Sequence, residues 1–346
     1  MNFTDYLKII VNRQDLSEEQ MSNMMSEIFE GGITDSQIGA FMGALSVKGE
    51  SFEELAGAAR AMRAKAARIQ TVSKKAVDTC GTGGDSSGSF NISTTTAFVV
   101  AGCGVTVAKH GNRSISSKCG SADVLEALGV NINTHPEIVE EAVNSIGIGF
   151  LFAPTFHSAM RYAAKARKEV GIRSIFNMLG PLTNPAAAKC QLLGVFAPQL
   201  TEMFANALKL LGTYRAFVVH GHDGMDEITV CDKTRVSELN DGVIRSYDLD
   251  PAQFFGEYAD PSELKGGDAN TNAAITRAIL NSDKETKEGI AKAKRNIILI
   301  NSAAALVAAD AATNLADGIK MAQESIDSGR AMDKLKQLAD FTQANG

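Results

Sequence analysis

Cysteine is scarce in this sequence, with five residues among 346. The number is odd, no two cysteines form a Cys-x-x-Cys pair, and they lie far apart along the chain. This distribution argues against a disulfide framework and against the common zinc-binding arrangements. We therefore expect reduced thiols, as in a cytosolic protein.

The chain also lacks an excess of positive charge, because 34 basic residues face 40 acidic ones and the net charge is −6. Binding along a phosphate backbone normally requires a broad basic surface, so we expect no nucleic-acid partner. A site for an anionic ligand must instead come from a local arrangement of donors.

Long apolar runs are missing as well. No uninterrupted run approaches the ~20 residues that span a bilayer, so we expect no membrane contact. The segment Met1-Asn2-Phe3-Thr4-Asp5-Tyr6 lacks a basic region followed by an apolar core, and we expect a cytoplasmic protein. The chain is 45% apolar and 21% charged, which suits a full core in one large domain or two unequal ones.

The first 70 or so residues carry helical patterns only. Three segments open with a capping box, in which a hydroxyl residue precedes Glu or Gln by three positions. The boxes are Ser17/Gln20, Thr34/Gln37 and Ser51/Glu54. Apolar residues follow at helical spacing, and Gly31-Gly32 and Gly49 provide stops. The pattern predicts a small helical bundle.

From residue 76 onward, short β-prone runs alternate with helical stretches, which predicts βα units and a mostly parallel central sheet covered by helices. The β-prone runs are residues 105–108, 130–132, 148–152, 192–196, 216–220 and 227–230. The helical stretches are 121–128, 134–145 and, in an Ala-rich region after about residue 270, 296–312. We expect an α/β protein with a helical domain at residues 1–72 and an α/β domain at 73–160 and 186–346. Residues 161–185 begin as a helix and then carry Gly180-Pro181 and Asn184-Pro185, which suits a return to the helical domain.

The first candidate site is the glycine-rich stretch Asp78-Thr79-Cys80-Gly81-Thr82-Gly83-Gly84-Asp85, which follows a β-prone run. Glycine permits positive φ and close backbone approach, so successive N–H groups can converge on an anion. The stretch matches neither the Walker P-loop nor Gly-x-Gly-x-x-Gly. A plain tight turn remains the alternative.

Hydroxyl residues follow the glycines and lead into the helical run 97–101. They include Ser89, Ser93 and Thr94, with Asn91 among them. A helix N-terminus offers unpaired N–H groups and partial positive charge to a phosphate, and hydroxyls add donors. Simple helix capping by Asn91 or Ser93 is the alternative.

The third candidate is the run Lys109-His110-Gly111-Asn112-Arg113-Ser114-Ile115-Ser116-Ser117-Lys118, which we expect at the end of strand 105–108. Ligands of open α/β sheets bind beyond the carboxyl ends of strands, where this run presents cations and hydroxyls. A solvated basic loop is the alternative.

The fourth candidate is the pair Asp226-Glu227, in a glycine-containing turn after the apolar residues 217–219. In a turn both carboxylates can face one area, where hard oxygen ligands suit Mg²⁺ bound to phosphates. A lone Asp-Glu pair is otherwise an ordinary surface feature.

Taken together, these motifs give the chain a resemblance, over essentially its full length, to the anthranilate phosphoribosyltransferase family of tryptophan biosynthesis. The resemblance rests on the stretches above together with Phe90-Asn91-Ile92-Ser93-Thr94, Gly120-Ser121-Ala122-Asp123 and Ile175-Phe176-Asn177-Met178-Leu179-Gly180-Pro181-Leu182-Thr183-Asn184-Pro185. They occur in the family's order and approximate spacing.

The resemblance implies a helical domain hinged to a larger α/β domain, and a homodimer formed through the helical domain. It implies transfer of the phosphoribosyl group of 5-phosphoribosyl 1-pyrophosphate to the amine of anthranilate, with release of pyrophosphate. This glycosyltransferase reaction is the second step from chorismate to L-tryptophan.

Site residues are likewise implied by the resemblance. The anthranilate contacts would be Gly81, Asn112 and Arg167, and two Mg²⁺ ions would be held by Ser93, Asp226 and Glu227. The phosphoribosyl donor would contact Gly81, Gly84, Asp85, Ser89, Asn91, Ile92, Ser93, Thr94, Lys109, His110, Gly111, Asn112, Arg113, Ser114, Ser117 and Ser121.

The expected mechanism is dissociative displacement, and no strong general base is required, because an aniline nitrogen is unprotonated near neutral pH. His110 is a candidate proton acceptor, with structural orientation of its segment as the alternative. Arg167, judged by its local sequence alone, would be a surface helix residue.

The sequence departs from the family pattern at a few positions: Ser114 replaces Ala, Cys119 replaces Ser, Tyr162 replaces His, and Lys165-Ala166 replaces Pro-Val. The last two departures flank the expected anthranilate channel.

Two other functions stay open at this point. A pyrimidine nucleoside phosphorylase resembles this family in fold, although Asp226-Glu227 and Arg167 fit a magnesium-pyrophosphate donor better than free phosphate. A catalytically silent, nucleic-acid-binding relative is disfavoured by the net charge of −6.

Overall fold

Capping boxes begin the first four helices of the protein, whose computed structural model describes residues 1–84, 87–114, 118–281 and 292–346. The three predicted boxes are confirmed: Ser17, Thr34 and Ser51 each accept a hydrogen bond from the backbone three residues on. A fourth box, Asn2 with Asp5, lacks the hydroxyl signature. The four helices are α1 (Phe3–Val11), α2 (Glu18–Phe29), α3 (Asp35–Lys48) and α4 (Phe52–Lys65).

The described residues form one seven-stranded sheet in the order β3-β2-β1-β4-β5-β6-β7. Its strands are β1 (Val77–Gly81), β2 (Val107–Gly111), β3 (Ile148–Phe152), β4 (Cys190–Gly194), β5 (Arg215–Gly221), β6 (Thr234–Asn240) and β7 (Val243–Leu249). The first five strands pair in parallel, whereas β6 pairs antiparallel with both neighbours. The predicted mostly parallel sheet is therefore confirmed.

Helices cover both faces of the sheet, as the alternating pattern predicted. Those that follow the bundle in the described ranges are α5 (Ile92–Gly102), α6 (Ser121–Ala127), α7 (Pro136–Ser145), α8 (Ala153–Phe156), α9 (Arg161–Val170), α10 (Leu200–Leu210), α11 (Ala252–Phe255), α12 (Ala269–Leu280), α13 (Lys292–Ala308), α14 (Leu315–Asp327) and α15 (Arg330–Asn345). The helix expected at 296–312 thus begins and ends four residues earlier, as α13. Within the described ranges, none of the helices has both the length and the hydropathy that a membrane span needs.

Two of the predicted strands are wrong. Residues 130–132 and 227–230 are β-prone and largely buried, but both stretches lie in loops. Their backbone groups bond to side chains in place of a neighbouring strand: the Asn131 N–H donates to Thr342 Oγ1 at 3.0 Å, and the Ile228 N–H donates to Asn301 Oδ1 at 3.0 Å. A buried loop segment and a buried strand have the same short run of apolar residues, so the sequence pattern could not distinguish them.

The hairpin of β6 and β7 was not predicted, although its turn has a recognisable sequence. Asp241 and Gly242 occupy positive φ values of 46° and 78°, which is the geometry of a two-residue hairpin turn. Asp-Gly between two β-prone runs is a strong signal for such a turn. The hairpin extends the sheet beyond β5.

The helical bundle and the sheet share one hydrophobic cluster. Alternate residues of a strand face opposite sides, so Leu193 and Val218 join the cluster that contains the bundle core, whereas Leu192 and Phe217 face α5 and α13. On α4, Arg63 donates from Nε to the Leu182 carbonyl at 2.6 Å. The helical and α/β parts therefore pack directly against each other, and the domain limits at residues 72, 160 and 185 stay predictions.

Glycine at position 57 allows α4 to approach α2. A Cβ at Gly57 would overlap the Glu18 carbonyl oxygen and lie 3.1 Å from Met21 Cβ. We expect Gly57→Ala to lower the free energy of unfolding by about 1–3 kcal/mol, as overpacking does. The measurement is urea unfolding.

Gly43, in the interior of α3, supplies the matched control. No described atom lies within 4 Å of a Cβ built there. Gly43→Ala should leave stability unchanged or raise it by up to about 1 kcal/mol, because Ala has the higher helix propensity. Equal losses in the two variants would contradict the close approach of α2 and α4.

Candidate active site

The site lies at the carboxyl edge of the parallel strands. β1 ends at Gly81, β2 at Gly111, β4 at Gly194 and β5 at Gly221. Because these strands run in the same direction, the loops that follow them meet at one edge of the sheet. Three of the four sequence candidates are these loops, and the fourth begins the helix after the first of them.

The glycine-rich loop is a shaped structure that requires its glycines. Gly83 and Gly84 have φ values of 68° and 79°, a left-handed conformation that side chains disfavour. The Thr82 N–H donates to the Gly194 carbonyl at 2.9 Å, and the Phe196 N–H donates to Thr82 Oγ1 at 3.1 Å. The loop after β1 is therefore fastened to the loop after β4.

Asp226 joins the loop after β5 to the glycine-rich loop. Its Oδ2 accepts a hydrogen bond from the Gly83 N–H at 3.0 Å. A Cβ at Gly81 would lie 2.6 Å from Asp226 Oδ2, and a Cβ at Gly194 would overlap the Asp226 carbonyl. Glycines 81 and 194 thus make room for the acidic turn, which places a carboxylate beside the predicted anion cradle.

The turn that carries Asp226 and Glu227 is shaped by a neighbouring carboxylate. Asp223 accepts from Thr229 Oγ1 at 2.6 Å and from the Met225 N–H at 3.2 Å. The Gly221 N–H also donates to the Met225 carbonyl at 2.8 Å. Asp226 and Glu227 are half-buried at the end of this turn, so they are not an ordinary exposed surface pair.

Lys109 and His110 lie within β2, and the predicted strand end at residue 108 is wrong by three residues. Both side chains are buried, which contradicts a solvated basic loop at these positions. Lys109 Nζ donates to the Thr79 carbonyl and, at 3.3 Å, to Ser93 Oγ. Burial lowers the pKa of Lys109, and the nearby carboxylates of Asp78 and Glu227 oppose that shift.

Asp78 is the buried counter-charge beneath the site. Burial raises the pKa of its carboxyl group, while the charge of Lys109 and hydrogen bonds from Asn184, His110 and Cys80 oppose the rise. The Asn184 amide donates to Asp78 Oδ2 at 2.8 Å, and the His110 N–H donates to Oδ1 at 3.1 Å. Asp78 is thereby held near Lys109 by groups from β2 and the crossing segment.

His110 is a neutral, buried imidazole. Burial and the ring of His157, whose centroid is 5.0 Å away, lower the pKa of His110 to about 3. Its Nδ1 lies 3.0 Å from the Gly180 carbonyl, which can only accept, so Nδ1 carries the proton. A base of such low pKa takes up protons poorly near neutral pH, which favours the structural alternative for His110.

The hydroxyl-rich segment forms the start of α5, which begins at Ile92 and therefore includes Ser93 and Thr94. Asn91 occupies the N-cap position, but its side chain makes no capping hydrogen bond, so the capping alternative is wrong for Asn91. The Asn91 amide instead donates to the Cys119 carbonyl at 3.3 Å. Thr94 Oγ1 is buried without a hydrogen-bond partner in the described part of the chain.

The loop after β2 is folded on itself around Ser121 and Asp123. Ser121 Oγ accepts from the Asn112 N–H at 3.2 Å, and Asp123 accepts from the Ser114 N–H at 3.1 Å. Arg113 is paired with Asp123 at 2.9 Å and with Glu126, and these carboxylates raise its pKa above the usual value. In this conformation its guanidinium is committed to carboxylates.

Ser89 lies where the chain leaves the glycine-rich loop. Its Oγ is 3.1 Å from that of Ser87, and its backbone forms an isolated antiparallel bridge with Lys265. Asp85 and Ser117, two further predicted donor contacts, lie outside the described residues.

Two arginines of the crossing segment lie over aromatic rings. Arg167 on α9 has a pKa lowered by burial, and its guanidinium carbon is 5.6 Å from the centre of the Phe176 ring. Arg173, which the sequence did not single out, donates to the Gly84 carbonyl at 3.2 Å and stacks 3.8 Å over the Phe196 ring. Its partners come from distant loops, so no local pattern marks it.

The departures on α9 contact the bundle. Lys165 pairs with Asp35 at 2.8 Å, and the Tyr162 ring lies against Gly31. Gly31 belongs to the turn between α2 and α3, and Asp35 is the first residue of α3. Ala166 lies on the buried face of the same helix.

The residues present fit a magnesium-pyrophosphate ligand. Asp226 and Glu227 carry carboxylates and Ser93 a hydroxyl, which are hard oxygen donors, and the positive φ values of Gly83 and Gly84 shape a loop whose backbone a phosphate can approach. Among the described residues, no three His, Cys, Asp or Glu side chains form a metal-binding cluster. A Mg²⁺ ion bound through one or two carboxylates and substrate phosphates does not require one.

Comparisons with known proteins agree with this geometry. Residues 4–66 match the helical bundle domain of a glycosyl transferase family, and residues 73–332 match the a/b domain of that family. The chain is 64% identical over 344 residues to the anthranilate phosphoribosyltransferase of Desulfosudis oleivorans, covering 99% of this chain and 100% of the relative. It is 64% identical to that of Syntrophobacter fumaroxidans, with 99% of both covered.

Solved structures give the same result. The anthranilate phosphoribosyltransferase of Thermus thermophilus superimposes with a TM-score of 0.90 at 38% identity, covering 98% of this chain and 99% of that one. The enzyme of Saccharomyces cerevisiae in complex with PRPP and Mg superimposes with a TM-score of 0.88 at 27% identity, covering 99% and 98%. The chain therefore belongs to the anthranilate phosphoribosyltransferase family.

Proposed function

We propose that this chain transfers the 5-phosphoribosyl group from 5-phosphoribosyl 1-pyrophosphate to the amine of anthranilate, which gives N-(5-phosphoribosyl)anthranilate and pyrophosphate. The reaction is the second step from chorismate in L-tryptophan biosynthesis. The observation that carries the proposal is the hydrogen bond between Gly83 and Asp226, because it sets an acidic turn directly beside a backbone anion cradle.

The donor occupies the carboxyl edge of β1 and β2 in this proposal. Lys109 supports the assignment, since its buried cation lies between Thr79, Ser93 and Glu227. Arg113 can bind the donor only if its guanidinium releases a carboxylate of Asp123 or Glu126 and binds a phosphate oxygen instead. The donor contacts we assign are Gly81, Gly84, Asp85, Ser89, Asn91, Ile92, Ser93, Thr94, Lys109, His110, Gly111, Asn112, Arg113, Ser114, Ser117 and Ser121.

Magnesium is the cofactor we assign, and the structure of the yeast relative with PRPP and Mg supports it. Ser93, Asp226 and Glu227 would hold two ions. When bound, Mg²⁺ neutralises the pyrophosphate as it leaves with growing negative charge.

Anthranilate is assigned to Gly81, Asn112 and Arg167. The yeast relative with 4-fluoroanthranilate supports an aromatic acceptor of this kind. Arg167 is half-buried, and among the described residues no carboxylate forms an ion pair with it. A guanidinium in that state is available for a planar carboxylate, to which it donates two parallel hydrogen bonds.

Catalysis then rests on positioning and electrostatics. The glycine-rich loop and Lys109 hold the pyrophosphate, the C1 bond to it lengthens, and the ribose gains oxocarbenium character. The acceptor amine attacks with its own lone pair once Arg167 has oriented the ring. His110 is uncharged at neutral pH and orients β2 against Gly180, so no base within the protein is assigned.

A homodimer that forms through the helical domain is part of the proposal. Val11 and Val47 supply apolar surface on α1 and α3, with 63% and 73% of their side chains exposed. Sedimentation should give twice the chain mass of 36.6 kDa, and a single-chain mass would contradict the dimer.

We place the enzyme in the cytoplasm, in keeping with its free cysteines.

The direct test is an assay with purified protein. In the presence of Mg²⁺ and 5-phosphoribosyl 1-pyrophosphate, the protein should consume anthranilate, which is followed as loss of anthranilate fluorescence. Folded protein that leaves anthranilate untouched and instead phosphorolyses uridine or thymidine would overturn the proposal and favour a pyrimidine nucleoside phosphorylase.

The metal assignment predicts the effect of removing both carboxylate charges. Asp226→Asn with Glu227→Gln should raise the Mg²⁺ concentration for half-maximal activity about tenfold or more, because carboxylates are the ligands that Mg²⁺ retains from protein. Asp333→Asn with Glu141→Gln is the matched control, since it removes the same charges from two exposed residues, on α15 and α7. Unchanged magnesium dependence in the double variant would remove the pair from the metal site.

The acceptor assignment predicts a selective defect in Arg167→Ala. The KM for anthranilate should rise about 10- to 100-fold, the scale of a lost charge-assisted hydrogen bond, while the KM for the donor stays close to that of the wild type. Lys168→Ala serves as the control, because Lys168 is the next residue of α9 and is exposed. A defect confined to the donor would contradict the role of Arg167.

A further inference from the structure

The side chain of Asn91 is held by groups from two other parts of the chain. Its Nδ2 donates to the Cys119 carbonyl at 3.3 Å, and its Oδ1 accepts from Asn272 Nδ2 at 2.9 Å. Asn272 lies in the first turn of α12, 181 residues further along, and is fully buried. A residue far away in sequence therefore contacts the start of α5, where we place the donor.

Each end of this chain of hydrogen bonds is a backbone group with a fixed role. The Gly267 N–H, which can only donate, lies 2.7 Å from Asn272 Oδ1. Asn272 must therefore direct its Nδ2 toward Asn91. The Asn91 atom that accepts this hydrogen bond must be Oδ1. At the other end, the Cys119 carbonyl can only accept, and it requires the same orientation of the Asn91 amide.

The segment before α12 is also fastened to the exit of the glycine-rich loop. The Gly266 N–H donates to the Gly88 carbonyl at 2.9 Å, and the Phe90 N–H donates to the Leu264 carbonyl at 3.3 Å. A Cβ at Gly266 would lie 2.6 Å from Phe90 Cα, so the two backbones are in direct contact. Gly267, which orients Asn272, thus lies in a segment bonded to residues 88–90.

We propose that Asn272 is a positioning residue of the donor site, which fixes the orientation of the Asn91 amide so that its N–H groups face the loop around Cys119 and the donor. The proposal rests on the proposed function, because Asn91 is one of the donor contacts. Without Asn272, the Asn91 amide loses the shortest of the hydrogen bonds that orient it, because its contacts with the Cys119 carbonyl and with Cys119 Sγ are both 3.3 Å long, and its oxygen can then turn toward the anion.

A neighbouring pair of threonines attaches the same two helices, α5 and α12, to each other. One helical turn further along both helices, Thr95 Oγ1 and Thr276 Oγ1 are 2.9 Å apart and buried. That pair also fastens α5 to α12, and Thr95 Oγ1 donates to the backbone carbonyl of Asn91 at 3.0 Å, but neither threonine has a hydrogen bond to the side-chain amide of Asn91. It therefore supplies a control that separates attachment of the helices from orientation of the amide.

The test compares Asn272→Leu, which is similar in size and uncharged, with Thr276→Val. The donor is titrated into each folded protein in saturating Mg²⁺ by calorimetry. Asn272→Leu should raise the Kd about tenfold, the scale of one buried hydrogen bond, and Thr276→Val should stay within about twofold of wild type. The KM for anthranilate should be unchanged in both. Asn272→Ala gives the same measurement if the branched side chain prevents folding.

The possible failures are distinguishable. A wild-type protein that binds no donor contradicts the proposed function itself. A wild type that binds donor, with Asn272→Leu and Asn272→Ala binding equally well, contradicts only the positioning role. Equal losses in Thr276→Val and the Asn272 variants would assign the effect to helix attachment and would also overturn it.

Discussion

The contact between Asp226 and the glycine-rich loop is the constraint on which the site depends. Gly81 and Gly194 lack the Cβ atoms that would displace Asp226, and the Gly83 N–H holds its carboxylate at 3.0 Å. The proposed anion cradle and the carboxylate of Asp226 thereby lie side by side, although 143 residues separate Gly83 from Asp226. A side chain at Gly81 or Gly194 would force the acidic turn away from the glycine-rich loop.

Below this surface, burial determines the charges that the site can use. Lys109 is a buried cation whose partners are a carbonyl, a hydroxyl and the field of Asp78 and Glu227. His110, next to it, is kept neutral. In the proposed function, a chain with net charge −6 binds a highly charged anion through donors that are placed locally, and not through positive charge spread over its surface.

Local signals in the sequence predicted much of this fold, and nonlocal contacts account for what they missed. Capping boxes such as Ser17/Gln20 need only residues three positions apart, so they were read correctly. Residues 227–230 look like a strand because they are buried, yet their partner is a side chain of α13. Arg173 and Asn272 contact loops that are far away in sequence. Asn91 has the sequence position of a helix cap, but its side chain forms hydrogen bonds outside the helix. The family resemblance supplied those site roles that no local pattern could.

The central claim is that the donor binds between the glycine-rich loop and the acidic turn. A crystal structure with 5-phosphoribosyl 1-pyrophosphate, Mg²⁺ and an anthranilate analogue tests it most directly. The account predicts pyrophosphate oxygens at the backbone of Gly84, and metal held by Asp226 and Glu227. Pyrophosphate bound at another edge of the sheet, with no metal at Asp226 and Glu227, would contradict it.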